Sequence, residues 1–202
     1  MASQKWKTFE NVIAKELSKW LFGEEKALRR TPCSGGWKGR GTGADIAVPD
    51  DRADIREFDM FAYEAKCRGG ANLGSTGWHF EQFLTSPKHQ ILEWWHTLSE
   101  SALVRGSNKL RMLIFSKTSG VAKAYVALGE REMSFFRDAG TAIDYVPQVI
   151  FKLARCEDPS FSSETLHFFR FLSLLESVDA GKLKTFWQHR TVSEETSDGQ
   201  GK

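Results

Sequence analysis

Two short apolar segments joined by a charged turn constrain the fold of this chain most. They are residues 44–48 and residues 60–66, and the turn between them begins at Pro49. Apolar runs of this length on either side of a polar turn predict the two strands of an antiparallel hairpin. We therefore expect these strands to belong to the central sheet.

Strand periodicity places three polar side chains near one another. Side chains alternate between the faces of a strand, so Glu64 and Lys66 share a face. Asp45 opens the first strand, which the turn folds back beside the second. Two carboxylates at one point repel each other unless a cation lies between them, and hard oxygen ligands suit Mg²⁺. These residues therefore predict magnesium-dependent phosphodiester cleavage, with Lys66 orienting or deprotonating water or stabilising the phosphate.

The N-terminal segment from Trp6 to Phe22 has helical periodicity, and two of its carboxylates border the apolar stripe. A carboxylate at such a border is costly unless it is paired or coordinates a cation. For Glu16 we favour a helix salt bridge with Lys19. We expect Glu10 to meet a cation.

A basic, glycine-rich segment separates the predicted strand at residues 26–31 from Asp45. Its five glycines permit a close approach to a ligand, and it carries Ser34, Lys38 and Arg40 as phosphate donors and Trp37 as a stacking platform. Residues 26–44 contain five basic and no acidic residues, and residues 101–129 also contain five basic and no acidic residues. These runs are either a surface for a polyanion or ordinary solvated faces.

Further elements are expected beyond residue 66. The expected elements are a loop at 67–77, a helix from Ser86 to about Leu98, strands at 110–116, 122–128 and 149–153, a helix at 130–138, and an apolar segment at 164–178 that continues to Trp187. The apolar segment is either deeply buried or part of a dimer face. Residues 193–202 have the composition of a disordered tail.

The length of 202 residues and an apolar content of 41% predict a single domain at 1–192, with a core at about 5–128 and a C-terminal extension at about 129–192. The chain has no apolar run of membrane-spanning length and no signal-peptide core, so we expect a cytoplasmic protein without a membrane partner. Cys33, Cys67 and Cys156 are widely spaced, which favours free thiols.

Taken together, these motifs resemble the PD-(D/E)XK nuclease superfamily, and their order is similar to that of the archaeal-type Holliday-junction resolvases. The resemblance covers roughly the first 128 residues. It is carried by Glu10, Arg29-Arg30, Ser34-Gly35, Asp45-Ile46 and Glu64-Ala65-Lys66. It implies an α/β fold with a mixed sheet flanked by helices, here with a helical C-terminal extension.

The resemblance also implies roles for individual residues. The implied metal ligands are Asp45, Glu64, Glu10 and the backbone carbonyl of Ala65, with Mg²⁺ as the ion and Mn²⁺ as a substitute. Lys66 would be the catalytic lysine, and Ser34 would assist at the phosphate. The implied DNA contacts are Arg29, Arg30, Trp37, Lys38, Arg40 and Arg68. The implied protein is a homodimeric nuclease of recombination or repair, of prokaryotic or viral origin, acting on DNA that includes four-way junctions.

Two alternatives remain open at this level. The superfamily fold also hosts site-specific nucleases of the restriction and homing types and other structure-selective nucleases. Outside enzymes, the chain could be a DNA-binding protein whose carboxylates are structural.

Overall fold

A seven-stranded mixed sheet organises the computed structural model, which describes residues 2–31, 45–67, 90–104, 109–117, 120–152 and 165–198. The strands are β1 (Arg29–Arg30), β2 (Ile46–Ala47), β3 (Phe61–Cys67), β4 (Leu110–Ser116), β5 (Tyr125–Gly129), β6 (Gln148–Lys152) and β7 (Thr165–Arg170). Their spatial order is β1-β2-β3-β4-β5-β7-β6. Only the β3–β4 pair is parallel among these strands, so the predicted mixed α/β fold is confirmed.

Helices cover both faces of the sheet. They are α1 (Ala2–Phe22), α2 (Gln90–Val104), α3 (Glu130–Asp138), α4 (Phe171–Ser177) and α5 (Ala180–Asp198). Residues of α1, α3, α4 and α5 belong to the larger apolar cluster on one face, and α2 covers the smaller cluster on the other. No helix in the described ranges is long and apolar enough to cross a lipid bilayer.

The alternation of β3 decides where its polar side chains lie. Phe61, Tyr63 and Ala65 enter the larger cluster, whereas Ala62 enters the cluster beneath α2. Successive side chains of a strand point to opposite faces, so Glu64 lies on the α2 side of the sheet.

Residues 164–178 form a strand and a short helix in the part that the structure describes. β7 lies between β5 and β6 with both faces covered, and such a strand is apolar along its length instead of alternating. Most apolar side chains proposed for a dimer face lie inside the monomer, with exposed fractions of 2% or less at Leu166, Phe168, Phe169, Phe171 and Leu174. Leu172 and Leu175 are half-buried and pack against the larger cluster. Of the two interpretations, burial is therefore the correct one.

The strand and helix limits differ modestly from the predicted ones. β4 and α3 have the predicted bounds, β6 begins one residue earlier at Gln148, and the predicted strand at 26–31 is reduced to β1. α5 runs to Asp198, so residues 193–198 are helical although their composition predicted a tail. A helix already formed extends at little cost, which explains this continuation. The loop was predicted at 67–77, but Cys67 is the last residue of β3. The rest of that loop and the start of the 86–98 helix lie outside the described residues.

Candidate active site

The end of the β2–β3 hairpin brings Asp45 and Glu64 together. Ile46 pairs with Tyr63 in antiparallel register, so Asp45 lies opposite Glu64 on the neighbouring strand. The amide of Asp45 donates to the carbonyl of Tyr63 over 2.8 Å, which extends the pairing to this residue. Both carboxylates are buried, with exposed fractions of 3% for Asp45 and 6% for Glu64.

Lys66 joins the two carboxylates. Its ammonium Nζ lies 3.2 Å from Oδ2 of Asp45 and forms an ion pair with Oε1 of Glu64. The amide of Ala65 donates to the same Asp45 Oδ2 over 2.9 Å. N–H and C=O of a strand residue point to the same strand edge, so the Ala65 carbonyl also faces the Asp45 side. The sequence-predicted trio of Asp45, Glu64 and Lys66 is thus one contiguous group.

Glu10 reaches the border of this group from α1. It is 3% exposed and forms an ion pair with the side chain of Arg30 on β1. The structure therefore brings Glu10, and not Glu16, toward the site, because Glu16 pairs with Lys19 at 3.7 Å as the sequence predicted. The cation that Glu10 meets is Arg30. From the sequence, Arg30 was expected to contact DNA instead. The positions of α1 and β1 could not be related from sequence spacing alone.

Burial and mutual repulsion perturb the ionisable groups. Burial, followed by the charge of Asp45, raises the pKa of Glu64 to about 7 despite the opposing effect of Lys66. Burial and then Asp45 likewise raise the pKa of Glu10 to about 7, against the effect of Arg30. Burial works to lower the pKa of Lys66, but the charges of Glu64 and Asp45 outweigh it and raise that pKa. The site therefore holds more negative charge than its own cations balance.

Comparison with known families bears on this arrangement. Residues 1–167 match the model of a family described as "Phage putative PDDEXK endonuclease". The chain belongs to this endonuclease family. No curated protein and no solved structure matches it significantly.

Membership in this nuclease family extends the resemblance beyond residue 128 and includes all of Glu10, Asp45, Glu64 and Lys66 within the match. The match supports the PD-(D/E)XK superfamily, a nuclease activity and a DNA substrate.

The carboxylates of this endonuclease suit a hard divalent cation. Within the described residues, no three Asp, Glu, His or Cys side chains approach closely enough to enclose a metal ion by themselves. The two carboxylates in direct contact with Lys66 are those of Asp45 and Glu64. Mg²⁺ is commonly held by one or two carboxylates and completes its shell with water and substrate phosphate, so this pair fits it.

The predicted DNA contacts of this family member are only partly described. Arg29 is exposed and lies 3.2 Å from Asp51, while Arg30 is held by Glu10. Ser34, Trp37, Lys38, Arg40 and Arg68 lie outside the described residues.

A basic cavity of about 340 Å³ adjoins the site between α1 and β1. Its lining includes Lys15, Lys26, Arg29 and Arg30, with Glu25 as the one acidic side chain. Lys15 pairs with Glu25 at 2.9 Å, Arg29 with Asp51, and Arg30 with Glu10, so most of the positive charge of this lining is already balanced. Sequence reasoning singled out Lys26, Arg29 and Arg30 as part of a basic run and missed Lys15, which the helix brings to the same surface.

Proposed function

We propose that this family member hydrolyses DNA phosphodiester bonds internally, in a Mg²⁺-dependent reaction that Mn²⁺ also supports. The observation that carries the proposal is the position of Lys66, whose ammonium group contacts both Asp45 and Glu64. A buried acidic pair with one adjacent lysine offers metal ligands and a phosphate donor within a few ångströms. A purely structural role would leave two buried carboxylates beside each other at an electrostatic cost.

The proposed metal ligands are Asp45, Glu64 and the carbonyl of Ala65. Glu10 is proposed to complete the site through a water molecule of the ion, because no three of the described carboxylates enclose a metal ion by themselves. When bound, the ion would polarise the phosphate and lower the pKa of a coordinated water. Asp45 is oriented for this role by the Ala65 amide, which fixes one of its oxygens from the strand backbone. Glu10 is the third carboxylate at the site, and Arg30 holds it in place.

We assign Lys66 the role of a charged donor. Without a metal, the charges of Glu64 and Asp45 outweigh burial and raise the pKa of Lys66. An ammonium group in this position can donate to a phosphate oxygen or orient a water molecule. Ser34 is proposed to assist at the phosphate.

We extend the proposal to branched DNA, including four-way junctions, in recombination or repair. Its support is the order of motifs from Glu10 to Lys66, which is similar to that of the junction resolvases. Cutting both strands of a two-fold symmetric junction requires two sites, so the proposed active species is a homodimer.

The test is incubation of the purified protein with linear, nicked, flap and four-way-junction DNA, each with Mg²⁺, with Ca²⁺ and in EDTA. We expect cleavage with Mg²⁺, greatest on the junction, and binding with little cleavage in Ca²⁺, because Ca²⁺ has looser coordination geometry. Cleavage of linear DNA alone would favour a restriction or homing type. Full activity in EDTA would exclude the metal mechanism.

A further inference from the structure

A continuous row of side chains leads from Lys66 across the sheet to Arg170. Lys66 pairs in register with Phe115, Phe115 with Tyr125, and Tyr125 with Arg170. These four residues lie on β3, β4, β5 and β7, which are neighbours in the sheet. Register partners on adjacent strands point to the same face. Arg170 is therefore on the same face and at the same level as the catalytic lysine.

Aromatic packing fixes the far end of this row. The rings of Phe115 and Tyr125 stack with centroids 5.9 Å apart and planes inclined by 21°. The guanidinium carbon of Arg170 lies 4.5 Å from the centroid of the Tyr125 ring. A guanidinium held flat against an aromatic ring loses less freedom when it binds a ligand than a free side chain does.

Arg170 is available to an anion. Its side chain is exposed, and among the described residues no carboxylate forms an ion pair with it. The amide of Phe171, the residue after Arg170, donates to the carbonyl of Ala124 over 3.0 Å, which holds this end of β7 against the chain before β5. Residues 110–129, which supply β4, β5 and their connection, contain three basic and no acidic residues.

We propose that Arg170, supported by Tyr125, binds a backbone phosphate of the DNA at a distance from the bond that is cut. This inference rests on the proposed function, because it takes Lys66 as the position of the scissile phosphate. Adjacent strands are about 4.8 Å apart, so three steps separate Lys66 from Arg170 by roughly 14 Å. A span of this length reaches a backbone phosphate a few nucleotides away from the bond that is cut. Arg170 is a positioning residue that orients the DNA across the end of the sheet.

The experiment measures the salt dependence of binding to a fluorescent linear duplex in Ca²⁺. Removing one phosphate contact should lower the magnitude of the slope of log K against log salt by about 0.9. We expect this loss for Arg170→Gln. The matched control is Arg131→Gln, which removes the same charge from exposed α3 on the opposite side of the sheet, and its slope should equal that of the wild type.

Two further measurements separate charge from structure. Arg170→Lys keeps the charge and should keep the wild-type slope. A four-way junction with single neutral methylphosphonate linkages, placed at each position in turn, should bind the wild type more weakly at one site a few nucleotides from the cut. Arg170→Gln should be insensitive to the linkage at that site.

An Arg170→Gln slope equal to that of the wild type would overturn the proposal, as would a slope loss shared by Arg170→Lys. Cleavage of DNA by the wild type is scored separately. If the wild type cleaves DNA but the salt slope of Arg170→Gln is unchanged, only this inference is refuted. If the wild type never cleaves DNA, the proposed function is refuted.

Discussion

At the scale of single residues, the site is defined by an imbalance of charge. Asp45, Glu64 and Glu10 supply three carboxylates, and Lys66 and Arg30 supply two cations, all in a half-buried or buried setting. Burial, followed by the charge of Asp45, raises the pKa of Glu64 and of Glu10. A divalent cation would offset the charge of these carboxylates, which is the basis of the metal binding that we propose.

Metal-free stability should depend on pH with a defined sign. The folded-state pKa of Glu64 and of Glu10 is about 7, above the usual 4.5, so the folded state binds protons more strongly than the unfolded state. Their stabilising contribution is complete below about pH 4.5 and is lost as pH rises through 7. Between pH 6 and 8 each group should remove roughly 1 kcal/mol from the free energy of unfolding.

Thermal unfolding in EDTA measures this dependence. The melting temperature should fall by a few degrees from pH 6 to pH 8, and Glu64→Gln should reduce the fall. Glu16→Gln, a change on the same helix as Glu10, should leave it unaltered. Equal pH dependence of the wild type and Glu64→Gln would contradict the charge imbalance.

The carboxylates should also act as one catalytic unit. We expect Asp45→Asn and Glu64→Gln each to reduce cleavage by at least about 100-fold, because each removes a ligand of the same ion. The double variant should be little slower than either single one. Single-turnover cleavage rates give the answer, and multiplicative losses would mean that the two residues act independently.

Residue-level prediction succeeded where it needed only local geometry. Strand alternation placed Glu64 and Lys66 on one face, and the hairpin placed Asp45 opposite. The partner of Glu10 could not be predicted, because the Glu10–Arg30 contact depends on how α1 packs on the sheet. Arg170 also escaped notice, since its relation to Lys66 follows from the register of four strands.

At the scale of elements, α3 is fixed to the sheet by a buried ion pair. Glu132 has no exposed surface and accepts hydrogen bonds from the backbone amide of Arg111 at 3.0 Å and from its guanidinium at 3.0 and 3.1 Å. The amide of Gly129 donates to the same carboxylate, at the start of the helix. The other side of the guanidinium lies 4.4 Å from the Trp95 ring of α2. This contact joins β4 to helices on both faces.

Breaking this pair should destabilise the protein strongly. We expect Glu132→Ala to lower the free energy of unfolding by about 3–5 kcal/mol, because the half-buried guanidinium of Arg111 would lose its carboxylate partner. Glu100→Ala, which removes an exposed carboxylate from α2, should change it by no more than about 0.5 kcal/mol. Denaturant titration compares the two variants. A small change in the free energy of unfolding of Glu132→Ala would show that the pair does not hold α3 to the sheet.

Elements with a clear period were predicted well, and so was the buried strand β4, but the type of the apolar segment at 164–178 was not predicted. α3 has a polar face and an apolar face, and its predicted bounds are those observed. β7 has no polar face because neighbouring strands and both layers enclose it, so its apolar run could not be distinguished from a buried helix.

At the scale of the whole molecule, the C-terminal part is joined to the sheet that carries the site. β7 pairs with β5, and β6 pairs with β7, so the sheet continues past the segment where the sequence resemblance ended. The indole N–H of Trp20 donates to the carbonyl of Val178, which lies just before α5. The indole N–H of Trp187, in α5, donates to the carbonyl of Glu57. These two bonds connect the C-terminal helix to the N-terminal half.

The proposed homodimer gives a prediction at this scale. Light scattering should show two chains, and mixing wild-type with Glu64→Gln chains should produce heterodimers that nick only one strand of a junction, because each chain supplies one site. A protein that is monomeric both free and bound to DNA would exclude paired cleavage and favour a nicking enzyme.

The most direct test of the proposed site is the rate of Mg²⁺-dependent DNA cleavage by Lys66→Met at saturating enzyme. The variant should bind DNA but cleave on the order of 100- to 1,000-fold more slowly than the wild type, because the donor next to Asp45 and Glu64 is gone. Lys109→Met is the matched control, since Lys109 also pairs with an aspartate, Asp59, at 2.5 Å but at the opposite end of β3. It should cleave at the wild-type rate. Wild-type cleavage by Lys66→Met would contradict the proposed active site.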